Sequence, residues 1–453
     1  MATFAAPLAL PESGRWFMCC WVAGIGPAVD WQVLGASAPR ADVRSGSCGP
    51  ANTQERANIS LGQLSNAGRA AEPRRGARAD AHTEGAPLAD PFATRIIPGE
   101  LYSWQVSWSP LHPHPFALCS KKGVRVAFQI LSLSGGGFLG LYTAAVLAEL
   151  EERSGKPLNQ CFDLIAGTSI GGIIALGLAA GRSASDIRDA FIEHGPRIFP
   201  RAQPKTKTAS LVRFARNVPK PLYGSAPLRD TVEQIVGKDT PMSDLVRPVV
   251  IPAVNLTKGG PKVFKTGHHP RFVLDWRLKV ADVALATSAA PTYFPAHRID
   301  DELFADGGMF ANSPDMIAMH EAEMFLGARR DDIRVLSVGT TTTDFAMSSS
   351  LNPDLGVWGW TRNQRLTDVM IGSQQALTND MMKHVLGDRY MRIDRRQADE
   401  QRPELALDVA TPGAVANLQS IARASFAEVS GDERLRAFLA HEAPPFTFVN
   451  ASI

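Results

Sequence analysis

Two short glycine-rich segments carry the residue types best suited to chemistry, and one of them is built around a serine. Residues 167–171 have the sequence Gly-Thr-Ser-Ile-Gly, which matches the spacing G-x-S-x-G. The flanking glycines let a turn tighten until the hydroxyl of Ser169 stands clear of the backbone. Such a motif needs a strand before it and a helix after it, and the apolar runs 162–166 and 170–181 predict both. The pattern therefore predicts that Ser169 is a nucleophile on a strand-to-helix turn, a nucleophile elbow.

The other segment, residues 135–140, has the sequence Gly-Gly-Gly-Phe-Leu-Gly and fits more than one chemistry. It matches G-x-G-x-x-G between a predicted strand and helix, which is the context of a dinucleotide-binding turn. It also suits an oxyanion hole, because glycines let backbone N–H groups approach a developing negative charge. A third interpretation is a tight turn with a closely packed helix. By itself, the segment leaves all three open.

A nucleophilic serine needs a base, and histidine is the usual partner. The histidine candidates by position are His194, His268, His269, His297, His320 and His384. Asp306 fits better, since it ends the apolar run 303–305 and precedes two glycines. Partial burial at a strand end would raise the pKa of this carboxyl group toward the range of a useful base. The alternative is an ordinary Asp-Gly turn.

The segments around these residues alternate between strands and helices. Residues 124–133 predict a buried strand, and 141–153 predict a helix that ends at Gly155. Further strands are predicted at 248–254, 303–305 and 333–338, and further helices at 280–286 and 315–325. This alternation is typical of an α/β protein with a parallel sheet.

Composition divides the chain near residue 122. Of the 453 residues, 45% are hydrophobic and 20% are charged, which excludes a wholly disordered chain. No lysine precedes Lys121, and residues 1–122 lack a sustained hydrophobic period. We predict a low-complexity, largely unstructured extension at 1–122, which is either a regulatory or targeting segment or translated from upstream of the natural start. A catalytic domain follows at 123–345, with a mainly helical C-terminal portion at 346–453 packed on it.

Net charge and cysteine content restrict which partners and which cellular compartment can be expected. With 47 Lys+Arg and 45 Asp+Glu the net charge is +2, so binding of DNA or RNA through bulk charge is not expected. The five cysteines form no evident disulfide framework, and no apolar run reaches the roughly 18–20 residues needed to span a bilayer. The pair His268-His269 has no further ligand at useful spacing. We predict a cytoplasmic protein without a metal or cofactor.

Three motifs in this order resemble the patatin-like phospholipase family: the glycine turn at 135–140, Gly-Thr-Ser-Ile-Gly-Gly at 167–172 and Asp-Gly-Gly at 306–308. The resemblance covers about 126–343 and implies a three-layer α/β/α sheet with a nucleophile elbow. In this family a Ser–Asp dyad replaces the usual triad. The resemblance therefore implies that Ser169 is the nucleophile and Asp306 the base. The oxyanion donors that it implies are the backbone N–H groups of Gly135, Gly136 and Gly137.

Two residues depart from the family pattern. Ser134 stands where the family commonly has Asp, and Leu139 stands where it usually has Arg or Lys. The missing cation at Leu139 weakens any role for a side chain in stabilising the oxyanion or a substrate phosphate. The backbone donors are unaffected.

Closer similarity is to the bacterial anti-phage patatins activated by cyclic dinucleotides, the cGAMP-activated phospholipases of CBASS systems. The segments that carry it are 134–137, 163–169, 263–266, 286–295, 306–308, 311–314 and 337–340. The similarity implies hydrolysis of phospholipids at the membrane surface once a cyclic dinucleotide binds.

Two other surfaces are candidates for contacts. Residues 195–229 contain eight basic and no acidic residues: Arg197, Arg201, Lys205, Lys207, Arg213, Arg216, Lys220 and Arg229. This segment suits an anionic partner, either a phospholipid surface or a nucleotide phosphate, and equally suits a solvated basic insertion. Residues 355–360, Leu-Gly-Val-Trp-Gly-Trp, fit either a lid or buried core.

Three functional hypotheses follow. The leading one is a serine lipid acyl hydrolase that forms an acyl-enzyme on Ser169. The second is a nucleotide-binding module that uses the turn at 135–140, which leaves Ser169 and Asp306 unexplained. The third is a catalytically weak patatin fold that senses a cyclic dinucleotide, suggested by Leu139.

Overall fold

The computed structural model describes residues 126–200, 220–341, 353–356, 359–360, 365–397, 400–401 and 404–449. All of them belong to one compact unit, Gln105–Ile453. The predicted extension at 1–122 lies outside the described residues.

Strands and helices alternate along the described chain. Its strands are β1 (Phe128–Leu133), β2 (Leu164–Gly167), β3 (Val249–Asn255), β4 (Gly260–Lys265), β5 (His297–Ile299), β6 (Glu302–Asp306), β7 (Ile333–Val338) and β8 (Tyr390–Ile393). Its α-helices are α1 (Gly140–Ser154), α2 (Ile170–Ala179), α3 (Ala184–Ile198), α4 (Ala226–Val236), α5 (Val280–Thr287), α6 (Gly308–Ala311), α7 (Asp315–Phe325), α8 (Arg365–Leu386), α9 (Pro412–Val429) and α10 (Glu433–Ala440). Among the helices in the described residues, none combines the length and the apolar composition that a membrane-spanning helix requires.

The strands form one mixed sheet in the order β5-β6-β3-β2-β1-β7-β8, with β4 paired to β3. The predicted parallel arrangement holds for β1, β2, β3, β7 and β8. In contrast, β4, β5 and β6 pair antiparallel. The loops 256–259 and 300–301 join β3 to β4 and β5 to β6, and loops this short allow only an antiparallel return.

Helices cover both faces of the sheet, because successive side chains of a strand point to opposite sides. In β1, Ile130 packs into a cluster with Ala318 of α7 and Met382 of α8. Its neighbour Leu131 packs into the larger cluster on the other face, which includes Leu147 of α1. The fold is therefore α/β with helices on both sides of the sheet, as expected.

Most predicted elements lie where the pattern placed them. The bounds of β7 and α7 equal the predicted ones. Helix α1 is capped by Gly155, which has a left-handed conformation with φ 67°. Strand β1 starts at Phe128, later than expected, since Val126 is exposed and makes no ladder pairing in the described chain.

Residues beyond 345 contribute to the same core. Strand β8 pairs with β7, and helix α9 packs against α1, where Tyr142 donates a hydrogen bond to the hydroxyl of Ser425 (2.9 Å). Leu418 of α9 is fully buried in the larger cluster.

We predict that Leu418→Ala lowers the free energy of unfolding by about 2–5 kcal/mol, because it leaves a cavity in the shared core. Denaturant unfolding followed by circular dichroism should still give a single transition. The control is Ser420→Ala, which lies exposed on the same helix and should change stability by less than about 0.5 kcal/mol. Equal stabilities for the two variants would contradict a C-terminal portion that shares the core.

Candidate active site

Ser169 occupies the sharp turn between β2 and α2. Its backbone has φ 55° and ψ −125°, a conformation that L-residues rarely adopt. Gly171 is required because a Cβ there would collide with the carbonyl oxygens of Leu133 and Ser134. The turn is held by the N–H of Ser169, which donates to the hydroxyl of Thr287 (3.0 Å). The predicted nucleophile elbow is thus present in its backbone geometry.

Asp306 lies at the end of β6 and faces this serine. The Ser169 hydroxyl donates a hydrogen bond to Oδ2 of Asp306 (2.7 Å). The other carboxylate oxygen, Oδ1, accepts from the N–H of Gly308 (2.7 Å). Strand β6 reaches this position through its pairing with β3, in which Asp306 lies opposite Ala253. The two residues of the predicted dyad are therefore in direct contact.

Burial gives Asp306 the proton affinity of a base. Burial raises its pKa from 3.8 to about 6, although the hydrogen bonds from Ser169 and Gly308 oppose the rise. At neutral pH the carboxyl group is mostly ionised and can accept a proton. Two of the candidate histidines are engaged elsewhere, His268 with Glu321 (2.9 Å) and His297 with Asp282 (3.0 Å).

The glycine turn after β1 lies beside Ser169. The N–H of Gly135 donates a hydrogen bond to the carbonyl of Asn312 (3.0 Å), so it is not available as an oxyanion donor. The carbonyl oxygen of Gly135 accepts from Nδ2 of Asn312 and from the hydroxyl of Thr340, both at 3.1 Å. Within the described chain the N–H groups of Gly136 and Gly137 make no hydrogen bond, and both glycines line the cavity that contains Ser169.

The hydrogen bonds to Gly135 set the direction of the next N–H. In a trans peptide the carbonyl of Gly135 and the N–H of Gly136 point in opposite directions. Holding the carbonyl oxygen with two donors therefore fixes where the Gly136 N–H points. At Gly137, φ is 55° and a Cβ would collide with the carbonyl of Leu407, so the chain needs glycine there.

The two departures from the family pattern are both buried. Ser134 shares a hydrogen bond with the hydroxyl of Ser313 (2.8 Å) and accepts one from Arg392 (3.2 Å). Arg392 is paired with Asp394 (2.6 Å), and Leu139 is packed in the core. Arg392 thus places a cation behind the glycine turn. No local sequence pattern indicates this contact, because 258 residues separate Arg392 from Ser134.

An apolar cavity of about 310 Å³ opens over the dyad. This volume is within the range of small-molecule pockets. Helices α2, α3 and α4 supply much of its wall, with Ile170, Phe191, Ile198 and Leu228. Phe199 packs edge-to-face against Phe138, Tyr223 and Phe294, with ring centroids 5.3–6.2 Å apart. The surface of the cavity is mostly apolar, so it suits a hydrocarbon chain.

Sequence patterns missed most of this wall. Phe199 and Tyr223 belong to the basic segment considered as a surface, yet Phe199 lines the cavity and Tyr223 is buried against it. Arg229 of the same segment lies near Glu233 (3.6 Å) and Asp282 (3.5 Å). The residues Arg201, Lys205, Lys207, Arg213 and Arg216 lie outside the described residues, and so does part of 355–360.

The described residues contain no group of three or more His, Cys, Asp and Glu side chains placed to hold a metal ion.

Comparison with known proteins identifies a family and several relatives of this chain. The family described as patatin-like phospholipase matches residues 131–319. A relative from Pseudomonas aeruginosa is 39% identical over 327 residues, which cover 70% of this chain and 93% of the relative. A relative from Escherichia coli is 37% identical over 70% of this chain and 94% of its own length. A third, from Vibrio cholerae, is 40% identical over 65% of this chain and 89% of its own length. Each carries the name cGAMP-activated phospholipase.

The chain belongs to the patatin-like phospholipase family. It is a lipid ester hydrolase, and its α/β sheet with a nucleophile elbow is the fold that the family resemblance implied.

We predict that Asp306→Asn is more stable than the wild type at neutral pH. The folded-state pKa of about 6 lies above the ordinary value of 3.8, so the stability of the wild type falls as the pH rises from about 4 to about 6. Asparagine does not titrate, and the variant should gain roughly 3 kcal/mol at pH 7 and little below pH 4.

Denaturant unfolding at both pH values measures this difference. The exposed Asp301→Asn serves as the control and should change stability by less than about 0.5 kcal/mol. A stability difference for Asp306→Asn that does not depend on pH would show that burial does not raise the pKa of Asp306.

Proposed function

We propose that the protein is a phospholipase that cleaves acyl esters of membrane phospholipids with a Ser169–Asp306 dyad. The observation that carries the proposal is the 2.7 Å hydrogen bond from the Ser169 hydroxyl to Asp306 at one end of an apolar cavity. A serine whose proton is already shared with a buried carboxylate is set up for attack on an ester.

Acylation proceeds in two steps. Asp306 takes the proton of Ser169 as Oγ attacks the ester carbonyl carbon, and the carbonyl oxygen becomes an oxyanion. When the intermediate collapses, the bond to the lipid alcohol breaks and Asp306 returns the proton to the leaving oxygen. The fatty acyl group remains as an ester on Ser169. Water then attacks this ester with Asp306 again as base, which releases the fatty acid and restores the Ser169 hydroxyl.

Gly136 and Gly137 serve as the oxyanion donors in this proposal. Their N–H groups are unused within the described chain and border the cavity beside Ser169. Gly135, the third donor implied by the family resemblance, acts instead through its carbonyl, which Asn312 and Thr340 hold. The N-terminus of α2, directly after Ser169, adds positive potential to the same region.

The cavity lining argues against a nucleotide-binding module at this turn. A dinucleotide site presents polar partners to a pyrophosphate and a ribose. Here the glycine turn faces a predominantly apolar space that also contains Ser169 and Asp306. The intact hydrogen bond between these two residues likewise favours an active enzyme over a catalytically weak sensor.

A regulatory role extends the proposal. The relatives named cGAMP-activated phospholipase match this chain over about nine-tenths of their own length. We infer that a cyclic dinucleotide activates this protein as well, and that it works as an anti-phage effector at the cytoplasmic surface of the membrane. Its substrate would then be the phospholipid of the host cell.

We predict that Ser169→Ala reduces fatty acid release from phospholipid vesicles by at least about 10³-fold, because the acyl-enzyme cannot form. Release is measured with and without cGAMP, which should stimulate the wild type. The matched control is Ser420→Ala, an exposed serine on α9, which should keep full activity. Equal activity of Ser169→Ala and wild type would refute the dyad, whereas indifference to cGAMP would refute only the activation.

We predict a separate effect for Thr340→Val, which removes one of the two donors to the Gly135 carbonyl. A less rigid Gly136 N–H should lower kcat by about tenfold with little change in KM, since the oxyanion exists only after attack. Thr340→Ser keeps the hydroxyl and should retain most of the activity. Steady-state kinetics that give equal kcat for both variants would contradict the role of Thr340.

A further inference from the structure

Helix α8 carries an apolar stripe on its exposed side. Successive residues of an α-helix are about 100° apart around its axis. The side chains of Leu366, Met370, Leu377 and Met381 therefore fall within an arc of about 60° around the axis of α8. The opposite side of α8 is buried against the sheet through Met382 and Leu386. We call the first four residues the apolar stripe. The helix therefore has two apolar sides, and only one faces the core.

Exposed apolar side chains are concentrated around this stripe. Of the thirteen exposed large hydrophobic residues in the described part of the chain, six lie on α8 and the adjoining α6. They are the four stripe residues together with Met309 and Phe310, and their exposed fractions lie between 36% and 63%. Exposed apolar side chains grouped on one side of a helix in this way mark a site of interaction.

The stripe is continuous with the cavity that contains Ser169. Leu366 and Met370 line the cavity, as does Met309 of α6, and all three are also exposed. They form the cavity mouth. From this mouth the stripe runs along α8 to Met381, a distance of about 22 Å.

Helix α8 is held in this position by hydrogen bonds to residues 309–312, the catalytic segment that follows Asp306. Nε2 of Gln374 donates to the carbonyl of Met309 (3.1 Å), and Oε1 of Gln374 accepts from the N–H of Asn312 (3.4 Å). Asn312 in turn holds the carbonyl of Gly135. The stripe, the cavity mouth and the glycine turn thus belong to one hydrogen-bonded framework.

We propose that the apolar stripe is the surface that docks on a phospholipid bilayer, with α8 lying in the interface and the cavity mouth facing the acyl chains. This inference rests on the proposed function, since it identifies how the same site meets its substrate. A helix that lies in the interface buries its apolar side at the boundary of headgroups and acyl chains. A second copy of the chain on this surface would instead cover the cavity mouth and block the entry of a lipid.

The test separates docking from chemistry. The variant Leu377→Gln with Met381→Gln changes two stripe residues that do not line the cavity. Cosedimentation with vesicles of phosphatidylethanolamine and phosphatidylglycerol, in a Ser169→Ala background and with cGAMP present, should show binding weaker by about tenfold or more. With Ser169 intact, hydrolysis of vesicle phospholipid should fall in parallel. Hydrolysis of dissolved 4-nitrophenyl butyrate should stay unchanged.

The matched control is Val273→Gln with Leu274→Gln, two exposed apolar residues that belong neither to α8 nor to the cavity lining, which should leave vesicle binding unchanged. Unchanged vesicle binding by the stripe variant, or an equal loss in the control, would overturn the proposal. Loss of the dissolved-ester activity in the stripe variant would also overturn the proposal. A molecular mass by light scattering that differs between the stripe variant and the wild type would overturn it as well, because it would assign the apolar stripe to a contact with a second copy of the chain. The dyad is judged separately, by whether Ser169→Ala hydrolyses the dissolved ester.

Discussion

The hydrogen bond between Ser169 and Asp306 is the contact on which the site depends. The order and pairing of the strands in the sheet bring these two residues together. Ser169 follows β2, whereas Asp306 ends β6, 137 residues later. Strand β3 connects them, because β2 pairs with its first residues and β6 with its last. Since β4 pairs with residues 250–255 of β3, β2 and β6 share the opposite edge. The antiparallel return of β6 directs the carboxylate toward the elbow.

Burial gives Asp306 the proton affinity that the proposed dyad needs, and it also costs stability. A carboxylate in water has too little proton affinity to draw a proton from serine, and burial raises the pKa of Asp306 to about 6. The same burial makes ionisation costly in the folded state. Ser169 adds backbone strain at φ 55°. The surrounding hydrogen bonds, such as those from Gly308 to Asp306 and from Ser169 to Thr287, keep the strained arrangement in place.

The C-terminal part of the chain belongs to the site as much as the motifs do. The carbonyl of Leu407 accepts a hydrogen bond from the N–H of Phe138 (2.7 Å), so it shapes the glycine turn. Arg392 lies behind the same turn, and α8 supplies the cavity mouth. A lipid ester hydrolase must hold a reactive centre rigidly and also expose an apolar entrance. Here α8 contributes to both, since Gln374 contacts the catalytic segment while the apolar stripe faces outward.

The amino-acid sequence by itself determined the local conformations: the elbow at Ser169, the strand that ends at Asp306, the bounds of β7 and α7, and the family. These features depend on residues a few positions apart, whose spacing restricts the backbone directly. Only the tertiary structure decided that the N–H of Gly135 is already bonded, that β4, β5 and β6 run antiparallel, and that α8 borders the cavity. Asn312 and Thr340 reach Gly135 across 177 and 205 residues. Contacts over such separations are set by how whole elements pack, and no local pattern specifies them.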